Sequence, residues 1–191
     1  MDNTNSLLIE YAETYNIKEF ISSDPIQFPH RFKEKKDIEI SAFISSWLAY
    51  GNRKAILKTL EEIHKEFEKD YSSSPFEFIK NKGFEKYKDN KKSLYRFYKY
   101  NDYYSLCQVL FNIYIKEENP SLEDKIKKTL ETKESKNPDC LDIIDVIINL
   151  FNEVEGIPIN NKSACKRLCM LLRWLVRNDK IVDLGIWTII K

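Results

Sequence analysis

Glycine and proline are scarce in this sequence, at 4 and 6 of 191 residues. That scarcity excludes collagen-like and low-complexity chains, and it argues against a turn-rich all-β fold. Histidine is nearly missing, with only His30 and His64. A zinc site would have to rest on Cys107, Cys140, Cys165 and Cys169. Only Cys165 and Cys169 are closely spaced, and no second pair of ligands accompanies them. The expectation is no metal, no cofactor and four reduced, buried thiols. No apolar run reaches the ~18 residues that a membrane helix needs. The longest candidate, Leu141 to Phe151, is cut by Asp142, Asp145 and Asn149. Met1-Asp2-Asn3-Thr4-Asn5 lacks a basic start and a long apolar stretch, so no signal peptide is expected and the default compartment is the cytoplasm.

What the chain has is charge and aromatic mass. Charged residues make up 32% and hydrophobic residues 42%, the balance of a soluble globular protein, and there are 11 Tyr and 11 Phe. The net charge of +1 hides segregation: residues 1–30 sum to −4, 31–100 to +6, 117–155 to −6 and 156–191 to +5. Two basic regions apart in sequence could meet in space as a footprint for phosphates, or they could be solvated helix faces.

Apolar spacing reads as helix almost throughout. Ser6 to Tyr15, Asp37 to Leu48, Arg53 to Lys69, Tyr103 to Lys116 and Leu141 to Val154 all carry helical stripes. Asp37 suits a helix start, Ser74-Pro75 another, Asp102 a third, and Ser121 to Asp124 resembles a capping box. Ser22 to Pro25, Gly51-Asn52, the polar stretch Lys133 to Asp139 and Gly156 to Asn161 read as breaks. No strand alternation is sustained and no fixed repeat appears. The prediction is one all-α domain over residues 1–191.

A helix over Lys162 to Arg177, capped by Asn160 or Asn161, carries two stripes. Ala164, Leu168, Leu171, Leu172 and Leu175 form a buried one. Lys162, Lys166, Arg173 and Arg177 form a cationic one, flanked by Arg167. The start of such a helix suits an anion, and like charges around Lys166 favour a neutral, nucleophilic amine. The plain alternative is the solvated face of an amphipathic helix. The crowd Tyr95, Arg96, Phe97, Tyr98, Lys99, Tyr100, Tyr103 and Tyr104 has the same two readings, base stacking or a packed helix pair. Trp174 and Trp187 read as core, or one of them as the wall of a base pocket.

Several stretches also carry a family resemblance. They are Ser23-Asp24-Pro25-Ile26-Gln27-Phe28-Pro29-His30-Arg31-Phe32, Leu48-Ala49-Tyr50-Gly51-Asn52-Arg53, Ser163-Ala164-Cys165-Lys166-Arg167-Leu168, and Leu172 to Arg177 followed by Val182 to Trp187. Together, over about residues 24–187, they resemble a bacterial family of uncharacterised proteins. That family is distantly similar to the helix-hairpin-helix DNA glycosylases, the archaeal 8-oxoguanine type above all. The resemblance implies a helix-hairpin-helix glycosylase-like helical domain, a lysine-dependent N-glycosylase/lyase for oxidised purine, and double-stranded DNA as partner. Lys166 looks like the lysine that attacks the sugar of a flipped-out nucleotide. Asn52, with Arg53, looks like the polar group pushed into the duplex. Arg167, Arg173 and Arg177 are implied DNA-backbone contacts or structural cations, and Lys162 and Ser163 are implied DNA contacts. His30 and Arg31 belong to the motif with either a DNA contact or a buried hydrogen-bonded pair as their role.

One departure stands out. These glycosylases carry an aspartate downstream of the lysine, in a Leu-Asp-Thr-His-like stretch that has no counterpart here. Asp183 is the nearest carboxylate that could substitute. Relative to the family the sequence reads as shortened at its C-terminus. The expectations are an inactive or fragmentary enzyme, and association through the surface that further helices would cover. A non-catalytic nucleic-acid-binding module and a helical protein with protein partners only are the two alternatives.

Overall fold

The computed structural model of the chain describes residues 3–132, 138–160 and 163–190. Helices α1 (Asn3–Tyr15) and α2 (Lys18–Ile21) lead through two 3-10 turns, Pro25–Gln27 and Pro29–Arg31, into α3 (Lys35–Leu48). Then come α4 (Arg53–Asp70), α5 (Pro75–Lys80) and a 3-10 turn over Gly83–Tyr87. A small antiparallel hairpin, β1 (Ser93–Tyr95) and β2 (Tyr98–Lys99), precedes α6 (Tyr100–Phe111), which widens into a π-helical turn over Asn112–Lys116. Helices α7 (Leu122–Thr132), α8 (Cys140–Leu150) and α9 (Lys166–Val176) follow. The protein is mostly helical, and its buried apolar side chains form one cluster from Ile26 to Trp187.

Helix α3 is the hub, because residues 37–48 are all buried. Ile38, Ile40, Ala42, Phe43, Ile44, Trp47 and Leu48 put apolar groups on every side of it, which drives the helix to the centre of the fold. It packs against α9, α5 and the two 3-10 turns that precede it. Around it, α4 turns Ile56, Leu60, Ile63, His64 and Phe67 inward, and α9 turns Leu168, Leu171, Leu172, Trp174 and Leu175 inward. Trp187 is buried as well. No described helix is long and apolar enough to cross a membrane.

Local chemistry moves several expected boundaries. Asp37 lies in the first turn of α3, not at its start. Its carboxylate accepts from Ser74 Oγ at 2.7 Å and from Phe76 N–H at 2.8 Å, so it serves the start of α5. Asp102 does not precede its helix either. It sits at the third position of α6 and accepts the Lys99 N–H at 2.7 Å. Helix α9 begins at Lys166, four residues later than the periodicity suggests, because Cys165 takes a left-handed backbone (φ 44°) and breaks the helix there. Ala164 therefore precedes the helix and is exposed. Asn161, Lys162 and residues 133–137 lie outside the described residues. Cys107 and Cys165 are buried, whereas Cys140 and Cys169 are exposed, so only two of the four thiols sit as expected.

The Glu39 carboxylate has no exposed surface and accepts four hydrogen bonds. Oε2 accepts Tyr114 Oη–H at 2.7 Å and Leu122 N–H at 2.9 Å. Oε1 accepts Glu123 N–H at 3.2 Å and Trp187 Nε1–H at 2.6 Å. Burial pushes this carboxyl up from its ordinary range, and the four donors oppose that rise. Glu39→Gln keeps the size but offers N–H groups where two donors already point. Tyr114 can turn to accept one; Leu122 N–H is left without a partner. The substitution is expected to cost about 1–3 kcal/mol of unfolding free energy, read by urea denaturation. An unchanged midpoint would deny Glu39 its organising role.

His64 is equally buried. Nδ1–H donates to Leu60 O at 2.8 Å and Nε2 accepts from Ser41 Oγ at 2.8 Å, with Phe28 and Phe67 against the ring. Burial pushes its pKa from 6.5 down to about 4. The unfolded chain takes up this proton below about 6.5 and the folded one does not. Its stability contribution is therefore complete above pH 6.5 and is lost as pH falls towards about 4, amounting to roughly 3 kcal/mol. The wild type should lose about that much more than His64→Gln between pH 7 and 4; equal losses would assign the acid sensitivity to other groups.

Candidate functional site

The break after α8 is built to bring α9 against the end of α3. Residues Val154 and Ile157 close tight turns onto the carbonyls of Phe151 and Val154. Gly156 takes φ 83°, and any side chain there would collide with the Tyr98 ring and hydroxyl. Tyr98 in turn packs against Trp47, 4.5 Å between centroids. Trp47 Nε1–H donates to Glu155 O at 2.8 Å.

Arg167 locks these pieces together. Its guanidinium donates to Trp47 O at 2.6 Å, to Gly156 O at 2.5 Å and to the Tyr98 hydroxyl. One side chain of α9 thus ties the last turn of α3, the loop and the hairpin. A cation at the carbonyl end of α3 also suits that helix's dipole. Arg167 points inward, at the chain's own acceptors.

Lys166, next in sequence, points the other way and is exposed. It opens α9 at the mouth of a pocket of about 390 Å³ whose walls include Trp47, Tyr50, Gly51, Ile157, Ser163 and Arg167. That volume lies in the roughly 300–1,000 Å³ range of small-ligand sites. Here the structure joins two motifs more than a hundred residues apart: the Ala49-Tyr50-Gly51 helix end and the Ser163 to Leu168 stretch. Among the described residues, no Asp or Glu lines this pocket. A second, shallower depression shares its Gly156 to Pro158 wall and carries Glu153 and Glu155.

The other expected site residues are placed elsewhere. Asn52 caps α4, its side chain accepting Ala55 N–H at 3.1 Å. Arg53 is exposed, 3.9 Å from the Asp24 carboxylate. Arg173 and Arg177 lie two and three turns beyond Lys166 on the same face, about 10 and 16 Å along the axis. Both hold Asp183: Arg173 at 3.1 Å, Arg177 through Nε. The Asp183 side chain is fully buried between them. It belongs to that distal end of the stripe and does not line the Lys166 pocket. His30 Nε2–H donates to Val182 O at 2.7 Å, and Arg31 binds Glu61 at 2.6 Å while lying over the Phe28 ring. The Arg31 guanidinium holds the Glu61 carboxyl below its ordinary range. Among the described residues no group of His, Cys, Asp or Glu is arranged to hold a metal ion.

Of the aromatic crowd, Tyr95, Tyr98 and Tyr103 are core and Phe97 alone is strongly exposed. Trp47, Tyr98 and Gly156 shape the pocket, and nothing in local spacing marks them, because each acts through a partner far along the chain. Replacing Arg167 by Met should unpair three acceptors and cost about 3 kcal/mol. The variant should also lose thermal stability more than Lys166→Ala, whose side chain is exposed. Equal melting temperatures for the two would refute the division of labour between these neighbours.

Residues 24–191 match the family described as "Protein of unknown function (DUF2400)". No curated protein and no solved structure matches the chain. The matched region contains the whole pocket and excludes α1 and α2.

Proposed function

The chain belongs to the DUF2400 family, and we propose that it is a DNA-repair-type protein, a lysine-dependent N-glycosylase/lyase acting on oxidised purine in duplex DNA. Its fold, on this reading, is of the helix-hairpin-helix glycosylase kind, with α8 and α9 as the backbone-binding unit. The single observation that carries the reading is the meeting of Lys166 with the Ala49–Gly51 helix end at one pocket. A flipped-out nucleotide needs such a pocket, with a nucleophile at its rim and flat side chains along its walls. Trp47 and Tyr50 supply flat walls. The first N–H groups of α9 suit a flanking phosphate.

The chemistry follows from an exposed amine. Lys166 Nζ, in its neutral form, adds to the anomeric carbon of the sugar. The bond to the base breaks, its electron pair leaves with the base, and the base takes up a proton. The nitrogen gives up a proton, the C1′–O4′ bond breaks with its electron pair and a proton going to O4′, and Nζ and C1′ are left joined as a Schiff base. Arg167 acts as a positioning residue, since it fixes the helix start from which Lys166 projects.

A second reading is a nucleic-acid-binding module without catalysis. It is favoured by the pairing of Asp183 with Arg173 and Arg177, and by a pocket without a lining carboxylate among the described residues. Borohydride trapping on duplex DNA with one 8-oxoguanine separates the two. A lesion-dependent covalent adduct that disappears in Lys166→Ala is the expected result. An adduct that survives Lys166→Ala would remove Lys166 from the chemistry. Salt-sensitive binding without any adduct would favour the binding module.

A further inference from the structure

We infer that the tip of the β1–β2 hairpin, Arg96 and Phe97, forms with Tyr50 a stacking platform for an unpaired nucleobase beside the Lys166 pocket. The inference rests on the nucleic-acid reading above and adds a contact surface that the reading does not require.

Phe97 is 52% exposed and Tyr50 is 49% exposed, although both are large aromatics. Their ring centroids lie 6.0 Å apart, and the Arg96 guanidinium carbon lies 5.0 Å from the centre of the Tyr50 ring. Three flat groups therefore lie side by side, the two rings inclined at 58° to each other. Isolated exposed apolar residues are ordinary, but a rimmed aromatic cluster marks a contact surface.

The patch is continuous with the pocket. Tyr50 and Gly51 line the pocket, and the Arg96 guanidinium lies against Gly51, whose φ of 102° disfavours a side chain. It is also held firmly. Tyr95 Oη–H donates to Tyr50 O at 2.6 Å, which fastens the hairpin to the end of α3. Phe97 packs on Tyr98 at 4.4 Å, and Tyr98 is bonded by Arg167. A base stacked on Phe97 would thus sit on the same rigid unit that positions Lys166.

Charge selects the occupant. Between Asn90 and Asn101 the hairpin carries Lys91, Lys92, Arg96 and Lys99 and no acid; all four are exposed. Flat apolar faces edged by cations fit a base with its phosphates. An acidic protein segment would be the other occupant, and the test separates them.

Fluorescence anisotropy on duplex DNA with one tetrahydrofuran abasic site, which leaves the opposite base unpaired, provides that test. Phe97→Ala and Tyr50→Ala should each weaken binding roughly tenfold, with the salt dependence unchanged, since neither removes a charge. Arg96→Ala should weaken binding and also flatten the salt slope by about one ion. Phe97→Trp should retain affinity, and its fluorescence should be quenched on binding. Circular dichroism confirms folding of each variant. Wild-type affinity in Phe97→Ala, with wild type and Lys166→Ala both binding, would overturn the platform and leave the Lys166 reading intact. A wild type that binds neither abasic nor intact DNA at low salt would overturn both.

Discussion

A single buried carboxylate organises the core. Glu39 sits inside the central helix, where burial of a charge is costly unless every lone pair is used. Tyr114, Leu122, Glu123 and Trp187 use them. Those donors come from the π-helical turn after α6, the first turn of α7 and the segment after α9. The π-helical turn and the segment after α9 are too short or irregular to place themselves. The carboxylate also meets the amino end of α7, where a helix dipole favours negative charge. Glu123 extends the same device: it accepts Thr188 N–H at 2.6 Å and pairs with Lys35 at 2.5 Å and Lys127 at 2.8 Å.

The other end of α3 is treated in the opposite sense. There the carbonyl of Trp47 receives the Arg167 guanidinium. The hub helix is therefore held near its start by an anion that gathers donors and at its finish by a cation that gathers acceptors. This arrangement fixes the direction of α3 against α9, and with it the pocket where the two helices meet. The pocket is a consequence of how the polar ends of the core are satisfied.

That satisfaction also divides the cations of α9 by task. Arg167 serves the chain's own carbonyls. Arg173 and Arg177 bind Asp183 at the far end of the helix. Lys166 faces outward at the pocket mouth. Of the residues near the pocket, Lys166 and Arg96 keep their charge towards solvent, and the exposed aromatics Tyr50 and Phe97 lie between α3 and the hairpin. Flat groups and cations on one rigid face give the nucleic-acid reading its physical basis.

The sequence by itself determined the helical character and most of the inward faces. Apolar residues at helical spacing, such as Leu168, Leu171, Leu172 and Leu175, have a local cause, and local spacing reports them. Ser74 and the Ser121–Asp124 pair also announce their helix starts, because capping acts within three residues. Tertiary structure alone decided the polar interior. Glu39 stands in an apolar run and nothing beside it signals four distant donors. Lys166 and Arg167 are adjacent cations, and only the carbonyls of Trp47 and Gly156 decide which one turns inward. Only the fold shows that Arg173 and Arg177 both close on Asp183. The hairpin was too short for alternation to show, and its exposed Phe97 differs from buried Tyr98 only in what lies above each ring. Periodicity records which side of an element is apolar; the partner of a polar or aromatic group is set by chain segments that periodicity does not connect.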